Sequence, residues 1–326
     1  MFRLGYNTNG LAHHRVEDAL RLLARLGYRG VAITPDVGQL DLYRLDRAEV
    51  RRVKRLAREL DLALVLETGA RFLMDAEVKH APTLLAQGAT DRTRRVDFLR
   101  RSIDLAHDLD ASVVSLWAGA HPEGQTGDPA GPTPGTSPAR SARTAPPPKT
   151  VSSRGRTRAA MDLERAWDRL VDGLVRVLDH ARGARVGVGF EPEPGMFVER
   201  PTGYLELRRR LGERAGELGL TLDVGHLLAT LDLPVEAQIE ALAPYLVGVQ
   251  LDDAPRGRHE HRPFGQGDLD LPAVLAALKR VRFEGLAAVE LSRDSHRGPD
   301  AAREALAALR RARRGAVGSA QRPRAK

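Results

Sequence analysis

The chain has 326 residues, with 51 basic side chains against 43 acidic ones, 42% hydrophobic residues and no cysteine. Without cysteine, disulfide scaffolds, thiolate zinc sites, iron–sulfur clusters and cysteine nucleophiles are excluded. No run reaches the roughly 18 apolar residues of a membrane helix, and MFRLGYNTNG lacks the apolar stretch of a secretory signal, so a cytoplasmic protein is expected.

In chain order, short β-rich runs are expected at 2–6 (FRLGY), 30–34 (GVAIT), 62–67 (LALVLE), 112–117 (SVVSLW), 185–191 (RVGVGFE), 220–223 (LTLD), 247–251 (VGVQL) and 286–291 (LAAVEL). Helical patterns lie between and after them, at 16–26, 47–60, 93–109, 162–182, 204–211, 235–246, 271–281 and 300–313. The apolar stripe Val50, Val53, Leu56, Ala57 and Leu60 has the spacing of a helix packed on a sheet. Eight alternating β and α units predict an α/β fold, a (β/α)8 TIM barrel, forming one domain over 1–312. The rival open, doubly wound sheet usually carries a Gly-rich phosphate turn after its first strand. NTNGLAHHR is not such a turn.

Two segments interrupt the rhythm. Residues 120–158 hold eight prolines and almost nothing large and apolar, which predicts a disordered insertion after the fourth strand; 313–326 reads as a disordered basic tail. These segments also carry the basic excess. The remainder is mildly acidic, which argues against a groove for nucleic acid.

In a parallel barrel the chemistry gathers at the C-terminal ends of the strands. Here the apolar runs close on Glu67, Glu191, Asp223 with His226 one turn on, Gln250 with Asp252, and Glu290. Buried carboxylates converging on one rim need protons, basic partners or a cation. An oxygen-rich set with an imidazole suits Mn2+, with Mg2+, Co2+ or Zn2+ as other candidates. The expected metal ligands are Glu191, Asp223, Gln250 and Glu290, with His259 or His261 able to take the place of the weak amide ligand. Taken singly, each acid fits a helix N-cap or surface ion pair equally well.

The loop after the seventh strand, DDAPRGRHEHRPFGQGDLDL, brings Arg256, Arg258, His259, His261 and Arg262 ahead of a turn flanked by Gly265 and Gly267. It reads either as a site for anionic substrate groups or as a solvated loop. Glu67, His226, Asp252, Arg256, His259 and His261 are the candidate substrate contacts. The loop from 67 to 83, with Arg71, Asp75, Lys79 and His80, suits a lid or clamp. Ser292, Asp294 and His296 lie too close together for a nucleophile set and lack a strained G-x-S-x-G elbow.

These residues resemble the xylose-isomerase-like barrel superfamily and its sugar phosphate isomerase/epimerase branch. The likeness rests on Glu191-Pro192, the Asp-x-x-His of Asp223 and His226, the Gly265, Gly267, Leu269, Asp270 element and Glu290 closing the last strand. The resemblance implies a divalent ion held by two Glu, one Asp and a seventh-strand His, where this chain has Gln250. It also implies Glu191 and Glu290 as a proton-transfer pair acting through an enediolate on a small polyhydroxylated carbonyl compound. A dehydratase or lyase on the same site is the alternative, followed by an abasic-site endonuclease or a non-catalytic binding protein. No membrane partner is expected; a homo-oligomer is compatible with the sequence.

Overall fold

The computed structural model describes residues 2–121, 126–128 and 153–319. Eight parallel strands close into a barrel in sequence order. They are β1 (Arg3–Asn7), β2 (Gly30–Ile33), β3 (Ala63–Glu67), β4 (Val113–Leu116), β5 (Gly187–Phe190), β6 (Leu218–Asp223), β7 (Leu246–Leu251) and β8 (Leu286–Val289). Around them run α1 (Val16–Leu26), α2 (Arg47–Glu59), α3 (Ala89–Leu109), α4 (Ser153–Ala184), α5 (Pro201–Leu211), α6 (Val224–Thr230), α7 (Val235–Leu242), α8 (Leu271–Arg280) and α9 (Gly298–Ser319). The predicted barrel is therefore the observed one.

Period-two alternation divides β2, β3 and β8 between two cores. Val31, Leu64, Ala287 and Val289 pack outward into the main core beneath the helices. Ala32, Val65, Leu286 and Ala288 turn inward and plug the lumen. A Cβ on Gly30 would stand 2.2 Å from Leu286 Cδ1, and one on Gly5 2.8 Å, so these two glycines make room for the plug. Helix ends follow local chemistry. Asp46, Asp223 and Asp270 cap α2, α6 and α8 by accepting the backbone N–H of Ala48, His226 and Ala273.

Several boundaries differ from the sequence expectation. The pattern over 235–246 splits into α7, a helical turn at Ala243–Tyr245 and the start of β7. The helix α6 was not expected. All seven of its residues are buried, so no polar face marks it. Most of the proline-rich insertion, residues 122–125 and 129–152, lies outside the described residues, as do 320–326 of the tail. The insertion follows β4, as expected; only the bounds differ, since α4 begins at Ser153 and α9 continues to Ser319. Asp128, also within the expected insertion, is buried and accepts the Glu199 backbone N–H at 2.8 Å.

Candidate functional site

The ends of the strands place the acidic residues together. In the ladder Asp223 stands beside Gln250, and Gln250 beside Ala288. Glu191 and Glu290 directly follow β5 and β8, anchored by their backbone N–H groups to Leu116 and Leu251 at 2.8 and 3.0 Å. Glu67, Glu191, Gln250, Glu290, His226 and His261 line one cavity of about 120 Å3 at the C-terminal mouth of the barrel. Asp223, Asp252 and His259 do not line this cavity, but they surround His226 and His261 on its β6–β7 side. One ligand atom from each of Glu191, Asp223 and His226 falls within 4.8 Å of the others.

Three hydrogen bonds orient this group. Asn9 Nδ2 donates to Glu290 Oε1 at 2.6 Å. Gln250 Nε2 donates to Glu191 Oε2 at 3.3 Å, leaving the amide oxygen buried without a hydrogen-bond donor among the described residues. Asp223 Oδ1 caps α6, and its Oδ2 is likewise buried without a donor. Asp223 is thus a helix cap whose second oxygen stands 3.8 Å from His226 Nε2. The donor set fits a divalent cation: carboxylate, amide and imidazole lone pairs converge, and buried acceptors await an electrophile.

Electrostatics follow from this crowding. Burial pushes the Glu67 and Glu191 carboxyls well above the usual range, and neighbouring carboxylates add to the effect. Burial also raises Glu290, against the pull of charged His261 and the Asn9 hydrogen bond. Glu193, missed in the sequence reading, is lifted by burial to about 7, with His261 opposing. Burial works against ionisation of Asp223 too, but His226 and His261 outweigh it and hold the carboxyl below its ordinary value.

His261 Nδ1 lies 2.6 Å from Asp252 Oδ2. Burial opposes the charge on the ring, yet Asp252 overcomes it and raises His261 to about 10. Burial also pushes Asp252 up, which on its own would leave that carboxyl neutral beside a cation. We take the ion pair as the state near neutrality, because opposite charges 2.6 Å apart in a buried place favour each other's ionised form.

The loop after β7 departs from its expected role in part. Arg256 is exposed, its backbone N–H tied to Asp268, and it does not line the cavity. Arg258 and Arg262 both pair with Glu260 at 2.6 Å, which leaves little of the expected basic patch. The loop is shaped instead by buried Asp253, which accepts backbone N–H groups from Ala254, Gly265, Gly267 and Leu269 at 2.8–3.0 Å. A Cβ on Gly267 would stand 2.4 Å from Asp253 Oδ1, which accounts for glycine there.

The opposite wall comes from β1–β3. Asn7 Oδ1 accepts from Asn9 N and from Thr34 Oγ1. Arg71, Lys79 and His80 of the loop after β3 line the cavity, as a clamp would. Ala70, Arg71 and His80 hold positive φ, a backbone state that costs roughly 1–3 kcal/mol each and tends to gather at functional sites. Asp75 lies outside the cavity, accepting backbone N–H groups of its own loop. Asn7 and Asn9 escaped the sequence reading, although NTNG begins on the last residue of the first strand.

The family model for the xylose isomerase-like TIM barrel matches residues 20–312, and the chain belongs to that family. No curated protein matches it. Among solved structures, the chain is similar to D-allulose 3-epimerase from Methylomonas sp. in complex with D-allulose (TM-score 0.66, 17% identity, covering 95% of this chain and 96% of that one). It is also similar to 3-keto-D-glucoside 4-epimerase from E. coli (0.65, 15%, 95% and 100%), and to an L-ribulose 3-epimerase (0.63, 18%, 100% of both chains). At these identities the likeness establishes the shared barrel fold. No helix among the described residues is long and apolar enough to cross a membrane.

Proposed function

We propose that the chain is a divalent-metal-dependent sugar epimerase or isomerase, acting in the cytoplasm on a small polyhydroxylated carbonyl compound. The observation that carries this reading is the convergence of Glu67, Glu191 and Glu290, from three separate strands, on one cavity. The similar structures of 3-epimerases, one holding D-allulose, support the substrate class.

In this reading Glu191, Asp223, Glu290 and the amide oxygen of Gln250 would hold the ion, Mn2+ being the expected choice. When bound it would acidify the C–H beside the substrate carbonyl and stabilise negative charge on oxygen. The chain's own contacts divide the remaining work. Asn9 and cationic His261 both favour the charged form of Glu290, which makes it the base that removes the proton. Glu191, held more firmly protonated by burial and by Glu67, is the group that returns it. Return to the opposite face gives epimerisation. Arg71 and Lys79 supply donors, and His80 Nε2 an acceptor, for hydroxyl groups on the far wall.

The test is proton exchange. Purified protein supplied with Mn2+ is incubated in D2O with D-fructose, D-allulose, D-tagatose and L-ribulose, and deuterium at the carbonyl-adjacent carbons is followed by NMR. Metal-dependent exchange into at least one ketose is expected; metal-loaded protein that exchanges none of them overturns the proposal.

A further inference from the structure

Residues 126–128, in a segment that the proposed chemistry leaves unused, are knitted into the loop after β5. Gly127 N donates to the Phe197 carbonyl at 2.7 Å, and Phe197 N donates to the Gly119 carbonyl at 2.9 Å. The Phe197 ring meets Trp167 edge-on, with centroids 4.9 Å apart, and lies tilted against His121 at 5.8 Å. A Cβ on Gly127 would stand 2.6 Å from Trp167 and 2.8 Å from Phe197, so glycine lets the two segments approach this closely.

Asp128 anchors this seam. It is 5% exposed, and its Oδ2 accepts the Glu199 backbone N–H at 2.8 Å and the Thr126 hydroxyl at 3.2 Å. Its Oδ1 faces the first turn of α5, where Thr202 Oγ1 donates at 3.5 Å and a Cβ on Gly203 would collide with it. The N-cap residue of α5, Arg200, does not cap the helix with its side chain. Asp128 supplies that cap from 74 positions away from Thr202. Burial lifts its carboxyl to about 6, against the hydrogen bond from Glu199, so it is charged at neutrality and favoured by the helix dipole.

The loop fastened here borders the site. Glu193 lines the cavity. The Pro192 carbonyl can only accept, so His226 Nδ1, 3.0 Å away, donates to it. Within the loop, Glu193 N donates to the Val198 carbonyl at 3.1 Å, and Gly195 N to the Glu199 carboxylate at 3.1 Å. Residues 193–199 therefore close on themselves, and Asp128 grips the far end.

We propose that Asp128 is a positioning residue: by holding Glu199 and the start of α5, it keeps Glu193 at the cavity and the Pro192 carbonyl on His226. Its effect on turnover rests on the epimerase reading; its effect on His226 does not.

Two measurements on the full chain test this. In metal-free protein labelled with 15N-histidine, the Nδ1–H signal of His226, assigned by its absence in His226→Gln, should be seen in wild type and be shifted or lost in Asp128→Ala. In the Mn2+-loaded enzyme, Asp128→Ala should lower kcat for ketose exchange about 10–100-fold with KM within severalfold. Asp128→Asn keeps an acceptor for the Glu199 N–H and should show a smaller loss of the same kind. Asp46→Ala removes the cap of α2 away from the cavity and should leave kcat and the His226 signal unchanged. Wild-type kcat or an unchanged His226 signal in folded Asp128→Ala overturns the proposal, and so does an equal loss of kcat in Asp46→Ala. If Asp128→Ala does not fold, the same criteria apply to Asp128→Asn. If wild type exchanges no ketose, the epimerase reading falls and the His226 signal alone decides; exchange with kcat kept in Asp128→Ala removes this proposal and leaves that reading in place.

Discussion

Replacing Asn9 by leucine separates the roles assigned to the two glutamates. The Asn9 amide donates to Glu290 Oε1 at 2.6 Å and so favours the charged carboxylate. A hydrogen bond to a charged group contributes about 1.5–3 kcal/mol. Since one pKa unit corresponds to about 1.4 kcal/mol, its loss should raise Glu290 by roughly 1–2 units. Leucine preserves the branched shape, and the backbone contacts of residue 9, its N–H to Asn7 and its carbonyl to Arg71, are not touched. A base acts only when ionised, so a higher pKa moves the acid limb of the kcat/KM profile upward by the same ~1–2 pH units. Above the shifted limb the rate should return to within severalfold of wild type. The assay is the initial rate of ketose exchange in the Mn2+-loaded enzyme, measured from about pH 5 to about pH 10. A uniform loss of rate with the limb in place would refute the reasoning, because it would make Asn9 a packing residue rather than a group that sets the ionisation of Glu290.

Three further outcomes follow from the same geometry. Glu290→Gln should lower exchange by about 100-fold or more while leaving thermal unfolding unchanged, measured by NMR exchange and calorimetry; full activity would remove Glu290 as the base. Gln250→His should tighten Mn2+ binding, read by isothermal titration, since an imidazole replaces a neutral amide oxygen beside Asp223; unchanged affinity would show that position 250 does not touch the ion. In the lumen, Leu286→Ala should cost roughly 2–5 kcal/mol and Gly30→Ala about 1–3, whereas the double variant should cost less than their sum because the alanine at 30 occupies space vacated by Leu286. Additive losses in chemical denaturation would show that the two sites do not share the plug.

The parts of the site that were legible share one property: each sits at the end of an apolar run. Glu67 and Asp223 close their strands, Gln250 stands one residue before the end of its own, and Glu191 and Glu290 come one residue after theirs. In all five, a polar residue breaks an otherwise buried pattern. What was missed depends on contacts that no local pattern reveals. Asn9 reaches Glu290 across 281 positions of sequence, and only closure of β1 against β8 brings them together. The short helix α6 is buried on every side, so the alternation that normally marks a surface helix is absent from VGHLLAT. Arg256 misled for the opposite reason. Its charge suggested a substrate contact, but its place on the loop is set by the backbone, and the side chain ends in solvent.

The loop after β7 links shape to electrostatics. His261 is the imidazole held cationic here, and its charge reaches Glu290, Glu193 and Asp223. Yet His261 belongs to no strand. Its place depends on Asp252 at one end and on the Asp253 carboxylate, which gathers four backbone N–H groups from the loop. Rigid strands therefore fix where the carboxylates stand and how deeply they are buried, while a loop organised by one buried aspartate adjusts the ionisation of Glu290, Glu193 and Asp223. Acidity at the mouth can change through that loop without moving any strand, which is one physical route by which a single barrel can host different proton-transfer reactions.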